Sequence, residues 1–270
     1  MDAHDTLQLT LPPSFGSAYV GETFSCTLCA NNELPAGAGR VVTSIKIGAE
    51  MQTPSLTVPL NLEPSDDGLE KSQVEPGESL QKTVRFDLRE EGSHVLAVSL
   101  SYSETTISKE NSASSGRVRS FRKLYQFSSQ PCLSVRTKVS DIPSAPASNE
   151  KQQYSTVTRF ALEAQLENLA DGPVTLEKVT FNPKPLFTSK SLNWDVIEPD
   201  GEHVDFPVVM PREVMQVAFL IEQQHDPPEL PPREADRSGR TILGQLGIRW
   251  RTAMGDSGYL STGWLMEKRR

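Results

Sequence analysis

The sequence predicts an all-β fold built as two tandem immunoglobulin-like β-sandwich domains with long polar loops. Three observations lead there. Apolar residues alternate with period two along nearly every hydrophobic stretch and almost nowhere recur at three and four, the pattern of half-buried strands rather than helices. Clusters of turn-forming residues separate these stretches, and the same grammar begins again after Pro131. At roughly 150 residues per domain, a chain of 270 residues makes two domains, each long enough to close its own apolar core. The expected division is 1–130 and 131–270.

Along the first block, FSCTLCA sets Phe24, Cys26, Leu28 and Ala30 on one face and Ser25, Thr27 and Cys29 on the other. VLAVSLSY does the same with Leu96, Val98, Leu100 and Tyr102, and KLYQF puts Tyr125 and Phe127 on a common side. Strands are also expected at LQLTL near the start, VVTSIKIGAEM around Ile45, SLQKTVRFDL around Phe86 and a short edge segment over residues 56–60. That makes about seven strands, the number an immunoglobulin-like sandwich needs. Turns fall at Val20-Gly21-Glu22, Glu75-Pro76-Gly77-Glu78 and Glu90-Glu91-Gly92.

The second block offers CLSVRTKV, then TRFALEAQLEN with Phe160, Leu162, Ala164 and Leu166 inward, then VTLEKVTF. EVMQVAFLIE follows with Met215, Val217, Phe219 and Ile221 on one side. ILGQLGIRW brings Ile242, Leu246, Ile248 and Trp250, and GYLSTGW closes the series; Trp250 is expected to be buried. Three polar stretches interrupt the alternation. Residues 103–117 are Ser-rich and read as a long hairpin loop, residues 140–153 as an insertion, and residues 223–238 as a charged, proline-rich loop.

Composition narrows the function. Lys and Arg number 27 against 35 Asp and Glu, a formal net charge of -8, which argues against nucleic-acid binding, since phosphate neutralisation needs clustered cations. No apolar run approaches the ~18 residues of a membrane span, and MDAHDTLQLT has neither a basic n-region nor an apolar h-region. Three cysteines cannot all pair within one chain, and no Asn-x-Ser/Thr sequon occurs. These features lead to the expectation of a cytoplasmic protein.

Candidate chemistry is sparse. Cys26-Thr27-Leu28-Cys29 has C-x-x-C spacing, but on a strand residues three apart project to opposite faces, so the sulfurs diverge; a core Cys26 and an incidental Cys29 are expected, and no metal. His94 lacks a nucleophile motif beside it, and a histidine bracing a turn is expected there. Asp66-Asp67 and Glu90-Glu91 lie in polar turns with nothing apolar to raise a pKa. No glycine-rich phosphate loop is present, so no nucleotide and no cofactor is expected. Two surface candidates remain. Arg119, Arg122 and Lys123 interleave with aromatics and form a candidate contact for an anionic partner or lipid headgroup, against the ordinary arrangement of charges on one face and aromatics on the other. Pro228, Pro231 and Arg233 fit the P-x-x-P-x-Arg ligand of an SH3-type groove.

Five blocks carry a further signal: LPPSFGSAYVGETFSCTLCANN (residues 11–32), EEGSHVLAVSLSY (90–102), FRKLYQF (121–127), FALEAQLEN (160–168) and LGQLGIRWRTAMGDSGYLSTGWL (243–265). In this order and spacing the chain resembles the trafficking protein particle (TRAPP) complex subunit 13 family, most specifically through the block that begins at Leu11. The resemblance implies a non-catalytic accessory subunit of a TRAPPIII-type tethering complex, with no catalytic residue and no cofactor of its own. Its partners would be other TRAPP subunits and, indirectly, a Rab1/Ypt1-type GTPase whose nucleotide exchange other subunits carry out. The implied setting is ER-to-Golgi transport and autophagy, with peripheral association at ER-Golgi or Golgi membranes. Family members continue into a further β-rich domain beyond the stretch that ends here at Arg270. The competing expectations are a free-standing adaptor that binds SH3-type partners through residues 223–238, and a hydrolytic or carbohydrate-active β-sandwich enzyme.

Overall fold

The computed structural model describes residues 18–37, 39–64, 73–107, 113–143, 158–194, 206–224 and 239–267, the side chains of 107 and 113–115 excepted. It divides into two compact units, Met1–Gln130 and Pro131–Arg270. Among the described residues the regular structure is entirely β. The first unit holds β1 (Ala18–Val20), β2 (Thr23–Asn31), β3 (Arg40–Gln52), β4 (Thr57–Leu60), β5 (Leu62–Pro64), β6 (Gln73–Val74), β7 (Ser79–Asp87), β8 (Gly92–Ile107) and β9 (Ala113–Pro131). The second holds β10 (Leu133–Ile142), β11 (Arg159–Asn168), β12 (Val174–Pro183), β13 (Phe187–Ser191), β14 (Val208–Val209), β15 (Val214–Gln223), β16 (Ile242–Thr252), β17 (Ser257–Ser261) and β18 (Leu265–Met266).

In the first unit a sheet of order β1-β9-β8-β3-β4, with β6 on β3, faces a three-stranded sheet β2-β7-β5. Period-two alternation decides which side chains meet between them. Phe24, Cys26 and Leu28 from β2 and Val84 from β7 pack with Met51, Leu96, Val98 and Phe127 from the larger sheet in one buried cluster. The rings of Phe24 and Phe127 stack across the two sheets at 5.1 Å. The expected strand LQLTL lies outside the described residues. Residues 103–117 depart from expectation: β8 runs on to Ile107 and β9 begins at Ala113, with Ser103 opposite Val118 and Thr105 opposite Gly116. Ser and Thr make a poor core but an acceptable strand, because β-branched Thr105 and Thr106 favour extended backbone.

In the second unit β10-β11-β15-β13 faces β14-β12-β16-β17, with β18 on β16. Phe181 of β12 meets Phe219 of β15 across the gap at 6.3 Å, and Ser189 of β13 donates to the Phe181 carbonyl at 3.2 Å. Trp250 is fully buried and lies in register with Gly258; a Cβ at Gly258 would stand 2.1 Å from the indole, so only glycine leaves that space. The strands β13, β14 and β18 carry too few alternating residues to be anticipated, and β10 extends to Ile142, inside the expected insertion.

One polar device recurs in both units. Asn32, just past β2, donates its side-chain amide to the Val74 carbonyl of β6 at 2.7 Å and accepts the Leu34 N–H at 3.2 Å. Asn168, at the end of β11, donates to the carbonyls of Val209 on β14 at 2.8 Å and Gly172 at 2.9 Å, and accepts the Ala170 N–H at 2.8 Å. Backbone bonds complete the likeness. Asn32 N–H donates to Glu78 O and Gly77 N–H to Asn32 O; Asn168 N–H donates to Glu213 O and Arg212 N–H to Asn168 O. Gly77 and Arg212 both adopt positive φ, 84° and 68°, and the carboxylates of Glu78 and Glu213 accept the N–H of Glu75 and Met210. Glycine takes that backbone freely; arginine takes it at a cost of about 1 kcal/mol.

Asn168 is fully buried and Asn32 nearly so, which sets the expected cost of removing each amide. Asn168→Ala strands two carbonyls and an N–H away from water and should destabilise the second unit by about 3 kcal/mol. Asn32→Ala, with fewer bonds, should cost the first unit less. Arg212→Gly should raise stability slightly. Thermal and urea unfolding of the three variants checks the ranking; equal losses for the two asparagines would contradict it.

Candidate interaction surfaces

The thiols offer no site. Cys26 lies opposite Val84 and is buried, whereas Cys29 lies opposite Gln81 on the other face and is half-buried. All three cysteines are free, and among the described residues no group of three or more His, Cys, Asp or Glu is placed to hold a metal. Burial pushes the Cys26 thiol up to about 11. Its charge and partial burial also raise Tyr125, burial being the larger cause.

His94 is sealed in the core opposite Phe127, with the two rings stacked at 5.4 Å. Its Nδ1 lies 3.0 Å from the Gly92 carbonyl and braces the turn into β8. Its Nε2 and the hydroxyl of Ser129, both buried, make no hydrogen bond. A histidine and a serine on one face invite comparison with a nucleophile and its base, but both residues are 0% exposed, so no substrate reaches them. Glu90 is held below its ordinary value chiefly by the Ser55 hydroxyl, on an open hollow that it lines with Thr53, Arg85 and Asp87. His4, His203, His225 and Asp66-Asp67 lie outside the described residues, as do Pro228, Pro231 and Arg233.

The three cations of β9 do not converge. Register places Arg119 and Lys123 on the face of Phe121, Tyr125 and Phe127, and Arg122 on the opposite face with Leu124. The expected separation of charges from aromatics therefore holds for Arg122 alone. The long stems of Arg119 and Lys123 carry their charges past the rim of the core, so they share its face without being buried. Arg119 and Arg40 both bind Glu104 at 2.9 Å, and Arg122 binds Glu50. Around Arg122 the outer face is a shallow hollow lined by Lys46, Gly48, Ser99, Ser101 and Ser120.

A different group of side chains comes together on the second unit. Thr175 lies opposite Arg251, Lys178 opposite Arg249 and Arg249 opposite Tyr259, so one outer face of β12, β16 and β17 carries Lys178, Arg249, Arg251 and Tyr259. A bulge between Leu176 and Lys178 turns Glu177 outward, where it binds Arg251 at 2.6 Å. Lys178 and Arg249 make no ion pair among the described residues. The signal in the sequence was the polar half of each alternation, but which polar residues meet depends on register.

The buried thiol gives a pH dependence with a definite sign. A thiol kept protonated by burial contributes stability that is complete below its ordinary value of 9.0 and is lost as pH rises through about 11, because the unfolded chain releases the proton first. Melting followed by circular dichroism between pH 8 and 11 should show the unmodified chain losing ground to Cys26→Val as pH rises, and a constant difference would refute it.

Comparison with known proteins gives the context. Residues 2–129 match the family model described as trafficking protein particle complex subunit 13, N-terminal, and residues 133–269 match its middle domain. Relatives named trafficking protein particle complex subunit 13 from Xenopus tropicalis and Bos taurus are 28% identical over 95% of this chain, covering 55% and 56% of their own length. A probable homologue of the same subunit from Drosophila melanogaster is 28% identical over 95% of this chain and 51% of its own. The chain thus spans about half the length of the curated relatives it matches. A solved protein of unknown function from Porphyromonas gingivalis aligns at 11% identity over 90% of this chain and 91% of that one, with a TM-score of 0.24, too low for a shared topology. With the two family models laid end to end along nearly its whole length, the chain belongs to the trafficking protein particle complex subunit 13 family.

Proposed function

We propose that the protein is a non-catalytic accessory subunit of a TRAPPIII-type complex, the assembly that tethers vesicles and exchanges guanine nucleotide on a Rab-type GTPase in ER-to-Golgi transport and autophagy. The observation that carries the reading is the serial match of the N-terminal and middle-domain family models. In this reading the two units, 1–130 and 131–270, are domains that act by surface complementarity while exchange chemistry lies in other subunits. The protein then works at the cytoplasmic side of ER-Golgi or Golgi membranes as a peripheral component. Buried histidine and thiol groups with no access to solvent support a structural role for the core.

The reading takes each domain as an immunoglobulin-like sandwich. Strand order supports it: β10-β11-β15-β13 facing β12-β16-β17 is the ABED and CFG arrangement, and in the first unit β2-β7-β5 faces β9-β8-β3 in the corresponding order. The joint role of Arg119, Arg122 and Lys123 as an anionic contact is the weaker part, because the ion pairs of Arg119 and Arg122 already engage those charges.

Affinity purification of the tagged chain at native abundance tests the reading: other TRAPP subunits should be recovered, and a set of unrelated partners defeats it. Deleting residues 225–238, which removes Pro228, Pro231 and Arg233, should leave that recovery unchanged. Loss of partners on this deletion would instead favour the SH3-type adaptor.

A further inference from the structure

We propose that the outer face of the sheet β14-β12-β16-β17 is a docking surface for a protein partner that presents acidic side chains framed by apolar ones. The proposal rests on the reading above and supplies the chemistry of the partner that the reading leaves open.

The cations are the first argument. Elsewhere several exposed cations stand against carboxylates, Arg122 with Glu50, Arg136 with Glu167, Lys138 with Glu163 and Arg159 with Glu222. Lys46, Arg85, Arg117 and Lys190 are exposed without an ion pair among the described residues. On this face Glu177 is taken up by Arg251, and Lys178 and Arg249 lie adjacent in register, exposed, with like charges together. In a chain of net charge -8, two neighbouring uncompensated cations repel each other and are stabilised by an acidic partner.

Apolar side chains at the margins are the second. Residues 206–210 run along the edge of β12, with Leu176 N–H donating to Pro207 O and Val208 opposite Thr175. Val209 turns inward and is buried; Val208 and Met210, two residues apart on the solvent side, are 53% and 55% exposed, and Phe206 continues the row. An edge strand ordinarily carries charge there. At the opposite margin Tyr259 is 50% exposed, yet its ring lies over Gly247, where a Cβ would come within 2.7 Å of the hydroxyl. The ring is therefore held flat in advance of any contact, which lowers the entropy lost on binding. Arginine, tyrosine, methionine and phenylalanine around a centre poor in carboxylates are the composition of an interface rather than of a solvated face. The corresponding face of the first unit also carries exposed Val118, Leu124 and Lys46, but its centre is small serines and its Arg122 is neutralised.

The test uses the whole chain, tagged, with TRAPP subunits quantified by mass spectrometry. Lys178→Glu/Arg249→Glu should lower their recovery at least roughly tenfold, while Lys138→Glu on β10 leaves it unchanged. Both changes are at exposed positions, and an unaltered melting curve confirms the fold. Independently, zero-length carbodiimide cross-linking of the unmodified complex should join Lys178 to an Asp or Glu of another subunit. Undiminished recovery of the double variant overturns the proposal, as do Lys178 links made only to the chain's own acidic residues, such as those within 195–205. An unmodified chain that recovers no TRAPP subunit overturns the functional reading itself and takes this proposal with it.

Discussion

A buried carboxamide at one corner of each unit is the constraint on which the rest of the structure depends. Burying an amide without partners costs several kcal/mol, so a core asparagine persists only where every bond is made. Asn32 and Asn168 each join three parts of the chain: the end of a strand, the short strand that follows far along the sequence, and the tight turn after it. Satisfying them pins Val74 to Val42 and Val209 to Val174, and so seals one end of each core. The turn then delivers β7 and β15 in the register that brings Val84 and Val217 inward. A one-residue slip would turn those side chains to solvent and strand the amide at once.

From this common corner the units diverge according to what their strands carry. In the first, β8 and β9 continue as a polar ribbon, and its cross-strand pairs, such as Glu104 with Arg117 in register, take the place of apolar packing. In the second, the core is densest: Leu162, Leu166, Leu176, Ile221, Leu246, Ile248 and Trp250 are all fully buried, and Gly258 clears the space the indole fills. The second unit thus places most of its largest apolar residues inside, and Val208, Met210 and Tyr259 are among those left exposed, with Leu192, Val214, Met254 and Trp264.

Much of the fold was legible because alternation is a local signal. Phe24, Cys26, Leu28 and Ala30, or Phe160, Leu162, Ala164 and Leu166, declare their face without knowledge of a partner strand, and all are buried. Cys26 and Cys29 diverge for the same reason. Residues 103–117 were misread because serine and threonine mark loops and exposed strands alike. The ion pairs were illegible, since Arg119 and Arg122 meet carboxylates on other strands only once register is set. The convergence of Lys178, Arg249 and Tyr259 is a product of register and of one bulge. The asparagine corner did leave a trace. Val74-Glu75-Pro76-Gly77-Glu78 and Val209-Met210-Pro211-Arg212-Glu213 share the order Val, x, Pro, x, Glu and follow their asparagines at nearly equal separations, 42 and 41 residues to the valine.

How such a protein meets a partner follows from what its strand edges permit. Pairing with a foreign strand needs a free, flat edge with its N–H groups available. The edge strands β4 and β5 carry Pro59 and Pro64, and β14 is two residues long between Pro207 and Pro211. The longer edge strand β10 bears Arg136 and Lys138, whose charges are held across to Glu167 and Glu163 on β11 and discourage a second strand on the far side. Proline and fixed charge thus guard β4, β5, β10 and β14, and along those margins the sheet faces are the ground for recognition. There the discriminating quantity is which charges the fold itself has already neutralised, and by that measure the first unit's Arg122 is occupied and the second unit's Lys178 and Arg249 are available.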